Sequence, residues 1–201
     1  MRKNEEKSRA SQVALLIIDV VTDFKFEDGD KLLVQAMHMA PHLAELKKKV
    51  KAANIPVIYI NDNFGKWQED FKTTLKYCLR SSSKGKNFVD LLKPDNDDFY
   101  ILKPHRSAFY TTALEVLLQN LGVSKLILTG LTTDICILFT ANDAYMRSYE
   151  LFIPQDCVCA ITPQINKSSL QFISRVLKAD VKLSDKIDIK SLSSGANSSA
   201  K

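Results

Sequence analysis

Residues 13–18, Val-Ala-Leu-Leu-Ile-Ile, carry no polar side chain and stop at the carboxylate of Asp19. A run this short and this apolar reads as a strand covered on both faces, the usual condition of a parallel sheet. Parallel strands need long crossover connections, and the remaining chain supplies them by alternation. Helical periodicity over Leu32 to Ala53 puts Leu43, Leu46 and Val50 on one stripe; Pro41 either kinks this helix or starts its second half. Pro56 to Ile60 reads as a strand, and Trp67 to Leu79 and Asn87 to Leu92 as short helices. Asp98 to Leu102 is the third strand, Thr112 to Leu121 a helix ending at Gly122, and Lys125 to Thr129 the fourth strand. Asp134 to Arg147 is a helix, Leu151 to Pro154 a fifth strand, and Pro163 to Leu177 a helix, with a short strand near Val181 to Leu183. Strands alternating with helices imply an α/β fold: three αβα layers around a mostly parallel, doubly wound sheet.

One domain is expected over residues 13–190, with a charged N-terminal tail at 1–12 and a small, polar, disordered tail at 191–201. No apolar run approaches the roughly 20 residues that span a bilayer. The first residues, MRKNEEKSRASQ, lack the apolar stretch of a secretory signal, so a cytoplasmic protein without membrane partners is expected. The four cysteines, at 78, 136, 157 and 159, have no framework spacing and read as reduced thiols. The net charge of +5 draws on the N-terminus and on Lys47-Lys48-Lys49-Val50-Lys51. That cluster reads as the solvated face of a helix, and without interleaved aromatics or a recognition motif no nucleic-acid partner is expected.

The chemistry concentrates after the fourth strand. The strand halts at Gly130, a polar turn Thr132-Thr133-Asp134 follows, and a helical run opens with Cys136 in its first turn. Amides at a helix start lack internal partners and lie at a positive dipole end. A thiol there is expected to have its pKa lowered toward neutral, and the same amides can hold an oxyanion. The alternative is a small buried hydrophobe among Ile135, Ile137, Leu138 and Phe139.

Partners exist at the same sheet edge, because ligands of such sheets bind beyond the carboxyl ends of the strands. Asp19 closes the first strand and Lys103 follows the third. An Asp beside the thiol can accept its proton, while Lys103 holds the carboxylate and favours the thiolate. A buried Asp–Lys ion pair that only secures strand ends is the competing reading.

These residues resemble the isochorismatase-like cysteine hydrolases, which include nicotinamidases and N-carbamoylsarcosine amidases. The resemblance rests on Leu16-Ile17-Ile18-Asp19 with Asp23-Phe24, on Lys103 before Ser107-Ala108-Phe109, and on Gly130-Leu131-Thr132-Thr133-Asp134-Ile135-Cys136. Ala141-Asn142-Asp143-Ala144 and Pro154-Gln155-Asp156-Cys157 add to it, so that it spans about Ala14 to Lys178. It implies the isochorismatase-like hydrolase fold and a catalytic triad of Asp19, Lys103 and Cys136. It also implies a cis peptide between Leu131 and Thr132, with the amides of Thr132 and Cys136 as oxyanion donors. Relatives commonly form dimers or tetramers, so a homodimer or homotetramer is expected.

One departure matters. Nicotinamidases carry an Asp-x-His element with further histidines that hold a metal, whereas residues 61–67 here contain an Asp and no His. His38 and His42 have i,i+4 spacing, but Pro41 lies between them and no third ligand is evident, so neither a catalytic metal nor a cofactor is expected. Phe24, Trp67, Phe109 and Tyr110 are candidate substrate-binding walls, Arg106 a candidate for a substrate carboxylate, Asp23 a candidate partner of Lys103, and Asp134 a candidate cap. The expected activity is metal-independent hydrolysis of a small amide, ureido or imide C–N bond through a thioester. Vinyl-ether hydrolysis, and a non-catalytic redox or interaction module, remain open beside it.

Overall fold

The computed structural model describes residues 12–65 and 67–193; most of the expected N-terminal tail and the last part of the expected C-terminal tail lie outside them. Its centre is a 6-stranded, wholly parallel sheet in the order β3-β2-β1-β4-β5, with β6 joining β4 beyond β5. The strands are β1 Val13–Ile18, β2 Val57–Asp62, β3 Phe99–Lys103, β4 Lys125–Leu131, β5 Glu150–Phe152 and β6 Val158–Cys159.

Every residue of β1 is buried, and its side chains alternate between two cores because successive residues of a strand point to opposite faces. Val13, Leu15 and Ile17 enter one core with α1 (Gly29–Ala52), α2 (Phe71–Cys78), α3 (Lys86–Leu92) and α7 (Ile189–Ser193). Ala14, Leu16 and Ile18 enter the other with α4 (Leu114–Asn120), α5 (Leu138–Met146) and α6 (Pro163–Leu177). Each such aliphatic side chain, fully withdrawn from water, is worth about 1.5–3 kcal/mol. The unbroken apolar run is thus the signature of three layers.

Local signals explain several boundaries. α6 starts where Thr162 Oγ1 accepts the amide of Ile165 at 3.2 Å and Pro163 fills the first helical position. α2 starts at Asp70, whose carboxylate accepts the Thr73 amide at 2.7 Å, so Trp67 lies in the preceding turn rather than in the helix. α1 runs through Pro41 as one element; the proline is on the exposed side, and the carbonyl it leaves without a partner belongs to Met37, also on that side. The segment near Val181 forms no strand, only a bridge from Asp180 to Phe152. α7 carries the chain through Ser193, three residues into the expected disordered tail.

The lysine cluster is only half a solvated face. Lys48 and Lys49 are exposed, but Lys47 and Lys51 turn to Asp95 and Asp98, with Lys47 2.9 Å and Lys51 2.8 Å from Asp98. All four cysteines are free thiols. Among the described residues no helix is long and apolar enough to cross a membrane.

Candidate active site

The chain leaves β1 toward β2 on one side, and β4 packs on the other. The carboxyl ends of β1 and β4 therefore flank the point where the strand order reverses, the place in such sheets where a crevice opens. Asp19 stands there in a left-handed conformation, φ 54°, uncommon for a residue with a Cβ. Three contacts hold it. Its amide donates to Ile60 O at 2.8 Å, its Oδ1 accepts the amide of Asp62 at 2.8 Å, and its Oδ2 lies 2.9 Å from Lys103 Nζ.

Lys103 is the last residue of β3 and pairs in register with Asp62. Its side chain is 0% exposed and reaches across β2. Besides Asp19, its ammonium lies 3.6 Å from Asp62 Oδ2 and donates to Cys136 Sγ at 3.5 Å. Cys136 is carried by a π-helical turn, Thr133–Ile137, that precedes α5. Both Ile135 and Ile137 donate to Thr132 O at 3.1 Å, and Thr133 Oγ1 is hydrogen-bonded to Asn166 of α6. π-turns of this kind are frequent at functional sites. Gly130 lets β4 approach β1 here: it has φ 110°, and a Cβ on it would lie 2.0 Å from Ile18 O.

Burial dominates the electrostatics. It raises the Asp19 carboxyl above the ordinary aspartate value, although Lys103 and hydrogen bonds from Cys136 and Asp62 pull the other way. Burial also pulls Lys103 down, but Asp19, Cys136 and Asp62 together outweigh it and hold the ammonium above the usual lysine value. Cys136 corrects the sequence expectation. Burial pushes its thiol well above the ordinary value, Asp19 adds to the rise, and Lys103 offsets only part of it. Burial thus acts against the lowering expected of a thiol at a helix start.

A second expectation is also corrected. The Leu131–Thr132 bond is trans, as is every peptide bond among the described residues. Thr132 is extended (φ −94°, ψ 151°), and the direction of the turn is set by the two amides that converge on its carbonyl.

Asp19, Cys136 and Thr132 line a cavity of about 260 Å³, with Thr22, Phe26, Leu32, Asp62, Phe64, Leu131 and Ile135. The four aromatic residues expected as walls lie elsewhere. Phe24 is 1% exposed and packs in the first core against Phe88. Phe109 is buried in the second core, with the Arg147 guanidinium over its ring. Trp67 and Tyr110 are exposed, Trp67 beside a shallow cleft with Gln68 and Glu69, and Tyr110 edge-on to His105. Phe26 and Phe64 occupy the positions facing the cavity instead. Arg106 lies over Phe139. Asp23 accepts from the Lys25 amide and ion-pairs with Lys25; the second carboxylate at Lys103 is Asp62. That residue, two positions beyond the expected end of the second strand at Ile60, was findable by the reasoning that singles out Asp19. Asp134 makes no cap, and its Oδ1 is buried without a hydrogen-bond partner among the described residues.

Several other motif residues are structural. Ser107 is hydrogen-bonded to Asp143, the Ala108 amide donates to Thr140 Oγ1 at 3.0 Å, and these contacts fasten the exit of β3 to α5. Asp156 accepts the Ser184 amide and hydroxyl, each at 2.8 Å, and lies 3.7 Å from His42. Among the described residues the one cluster of metal-ligating type is Asp95, Asp97 and Asp98, and its oxygens are engaged by Lys47 and Lys51.

Comparison with known proteins bears on family and fold. Residues 13–180 match the isochorismatase domain family. The chain is 39% identical over 174 residues to the isochorismatase family protein YaaI of Bacillus subtilis, covering 87% of this chain and 95% of that one. It is 30% identical over 167 residues to enterobactin synthase component B of Escherichia coli, covering 81% of this chain but only 58% of that protein. The crystal structure of N-carbamoylsarcosine amidase from Thermoplasma acidophilum superposes with a TM-score of 0.67 at 26% identity, covering 88% of this chain and 99% of that one.

Proposed function

This chain belongs to the isochorismatase family of hydrolases, and on that premise we propose that it is a cysteine hydrolase that cleaves a small C–N bond of the amide, ureido or imide type through a thioester on Cys136. The observation that carries the reading is the bridging position of Lys103, whose one ammonium contacts Asp19 at 2.9 Å and Cys136 Sγ at 3.5 Å at the edge of a cavity.

The mechanism follows from the charges. A buried acid with a raised pKa is a stronger base than an ordinary aspartate, which narrows its distance from the thiol. As a substrate carbonyl settles over Sγ, the thiol proton passes to Asp19 and the sulfur electron pair forms the C–S bond. The carbonyl electrons move to oxygen, where the amides of Thr132 and Cys136 are the proposed donors. Lys103 keeps its proton throughout and balances whichever neighbour is negative. Collapse of the adduct breaks the C–N bond, and Asp19 returns its proton to the departing nitrogen. Water then adds to the thioester with Asp19 again as base, releasing the acid and restoring the thiol.

A second reading has one observation in its favour. An acid raised by burial is suited to protonating a vinyl ether, a hydrolysis that needs no thiol. The variant Cys136→Ser separates the two. Ammonia release from a panel of small amides is expected to fall at least about a thousandfold, a loss typical of removing a nucleophile, while ether hydrolysis continues. Retention of amide hydrolysis by the variant sinks the cysteine mechanism.

A further inference from the structure

The cavity at Cys136 has apolar sides, and the charged groups among its described lining residues are of one sign. Phe26, Leu32, Phe64, Leu131 and Ile135 form its apolar sides, and the Phe26 and Phe64 side chains are each 49% exposed. Two half-exposed rings beside a small cleft are surface that an apolar ligand group covers. The other lining groups are two uncharged threonines, the thiol, and the carboxylates of Asp19 and Asp62. Among the described residues no cationic side chain lines the cavity. Lys103 is fully buried and already contacts both carboxylates and the sulfur, so it cannot turn to a ligand without leaving Asp19.

Asp62 is held where it senses charge. Its side chain is 36% exposed, and its Oδ2 lies 3.6 Å from Lys103 Nζ. Its Oδ1 accepts the amide of Phe64 at 2.6 Å, which fixes the carboxylate and the turn bearing that ring as one unit.

We infer that this cavity is a charge filter: the amide it accepts is uncharged, with a short aliphatic or aryl group beyond its carbonyl, and carboxylate-bearing substrates are turned away by Asp62. The inference deepens the cysteine-hydrolase reading and rests on it. One cation faces two carboxylates, so the site is net negative before reaction. It stays so as the charge moves from Asp19 to sulfur to the oxyanion, and a substrate carboxylate adds a second negative charge that no described lining residue of the cavity neutralises. One like charge a few ångströms away in a half-buried site corresponds to a penalty on the order of tenfold to a hundredfold in rate. Size points the same way. A cavity of about 260 Å³ has the room of about nine water molecules at ~30 Å³ each, enough for a short acyl group.

The test uses two alkylating probes that differ in charge, iodoacetamide and iodoacetate. In each the Cys136 sulfur displaces iodide, forming C–S and breaking C–I, while the thiol proton passes to Asp19. Rates at Cys136 are read by peptide mass spectrometry on the full chain, each normalised to the same reagent with N-acetylcysteine. The amide-to-acid ratio is expected to exceed the reference at least tenfold and to shrink in Asp62→Asn. Phe64→Lys, altered at a half-exposed ring, gives a second handle and is expected to raise the iodoacetate rate selectively. A wild-type ratio at or below the reference overturns the filter. If butyramide is still hydrolysed in that case and succinamate equally well, the cysteine-hydrolase reading survives. Failure of Cys136 to react with either probe overturns both.

Discussion

Asn61 grips Val21 from both directions: its Oδ1 accepts the Val21 amide at 3.0 Å, and its Nδ2 donates to the Val21 carbonyl at 3.1 Å. The side chain is 2% exposed, so it replaces, for one residue, the strand partner that the chain loses on leaving β1. Asn61→Leu removes both bonds and leaves a buried donor and acceptor unpaired. Such groups cost about 1–3 kcal/mol each, so chemical denaturation is expected to show a loss of at least ~2 kcal/mol. Amide hydrolysis is expected to fall with it, because Asp19 stands two residues before the gripped peptide. An unchanged midpoint excludes this role.

Lys103→Met leaves the Asp19 carboxylate buried without its ion-pair partner. Breaking a buried pair on one side typically costs about 3–5 kcal/mol. Its pH dependence has a definite sign. The folded-state pKa of Asp19 is already raised above the unfolded value, so its contribution favours folding at acid pH and is lost as pH rises through the folded pKa. Without Lys103 the rise is larger. Urea denaturation is therefore expected to show a wild-type-to-variant gap that is small near pH 4.5 and wide near pH 7.5; the opposite trend contradicts the assignment.

The buried thiols set an alkaline limit. Burial raises Cys136, Cys157 and Cys159, the last to about 12. Each favours the folded state below the unfolded thiol pKa, and that contribution falls away as pH climbs from about 9 toward the folded value. Stability is expected to decline steadily between pH 9 and 11. Cys159→Ala should make the decline shallower by about 1.4 kcal/mol per pH unit, the increment of one proton. Equal slopes for the two proteins contradict the shift.

Gly130→Ala brings a Cβ to 2.0 Å from Ile18 O at φ 110°. Backbone strain of this kind costs about 1–3 kcal/mol before any clash is counted. The melting temperature is expected to drop, with activity lost more steeply than stability, because β1 and β4 must part where Asp19 and Cys136 meet. Activity that tracks stability alone contradicts this placement.

The layers were legible because six consecutive apolar side chains, in a chain that alternates strands with helices, suit a strand covered on both faces, and every β1 residue is buried on one face or the other. The meeting of Asp19, Lys103 and Cys136 was legible because parallel strands deliver their ends to one edge. Depth was not. Whether a thiol at a turn is lowered by the backbone or raised by burial depends on how much protein closes over it, and nothing local to Cys136 records that. The aromatic walls were misplaced for a related reason. Phe24 and Phe26 lie two residues apart, yet Phe24 goes into the core and Phe26 faces the cavity, in a loop whose left-handed φ of 56° at Phe24 breaks any regular periodicity. Asp62 lies two residues beyond the expected end of the second strand at Ile60, and both the longer strand and its hold on Lys103 needed the register of β2 against β3.

The π-turn has a consequence in the arithmetic of chain length. Its hydrogen bond from Ile137 to Thr132 encloses one residue more than an α-helical bond does. One residue of an α-helix is about 100° of rotation, so the surplus sets the azimuth of Cys136 relative to Thr140, Ala141 and Ala144, the buried stripe of α5. Remove a single residue from 133–137 and the segment can close as an ordinary helix. α5 would still dock by its stripe, while the sulfur would swing about a quarter-turn from Lys103. In this fold the reach of the Cys136 thiol is a matter of counting.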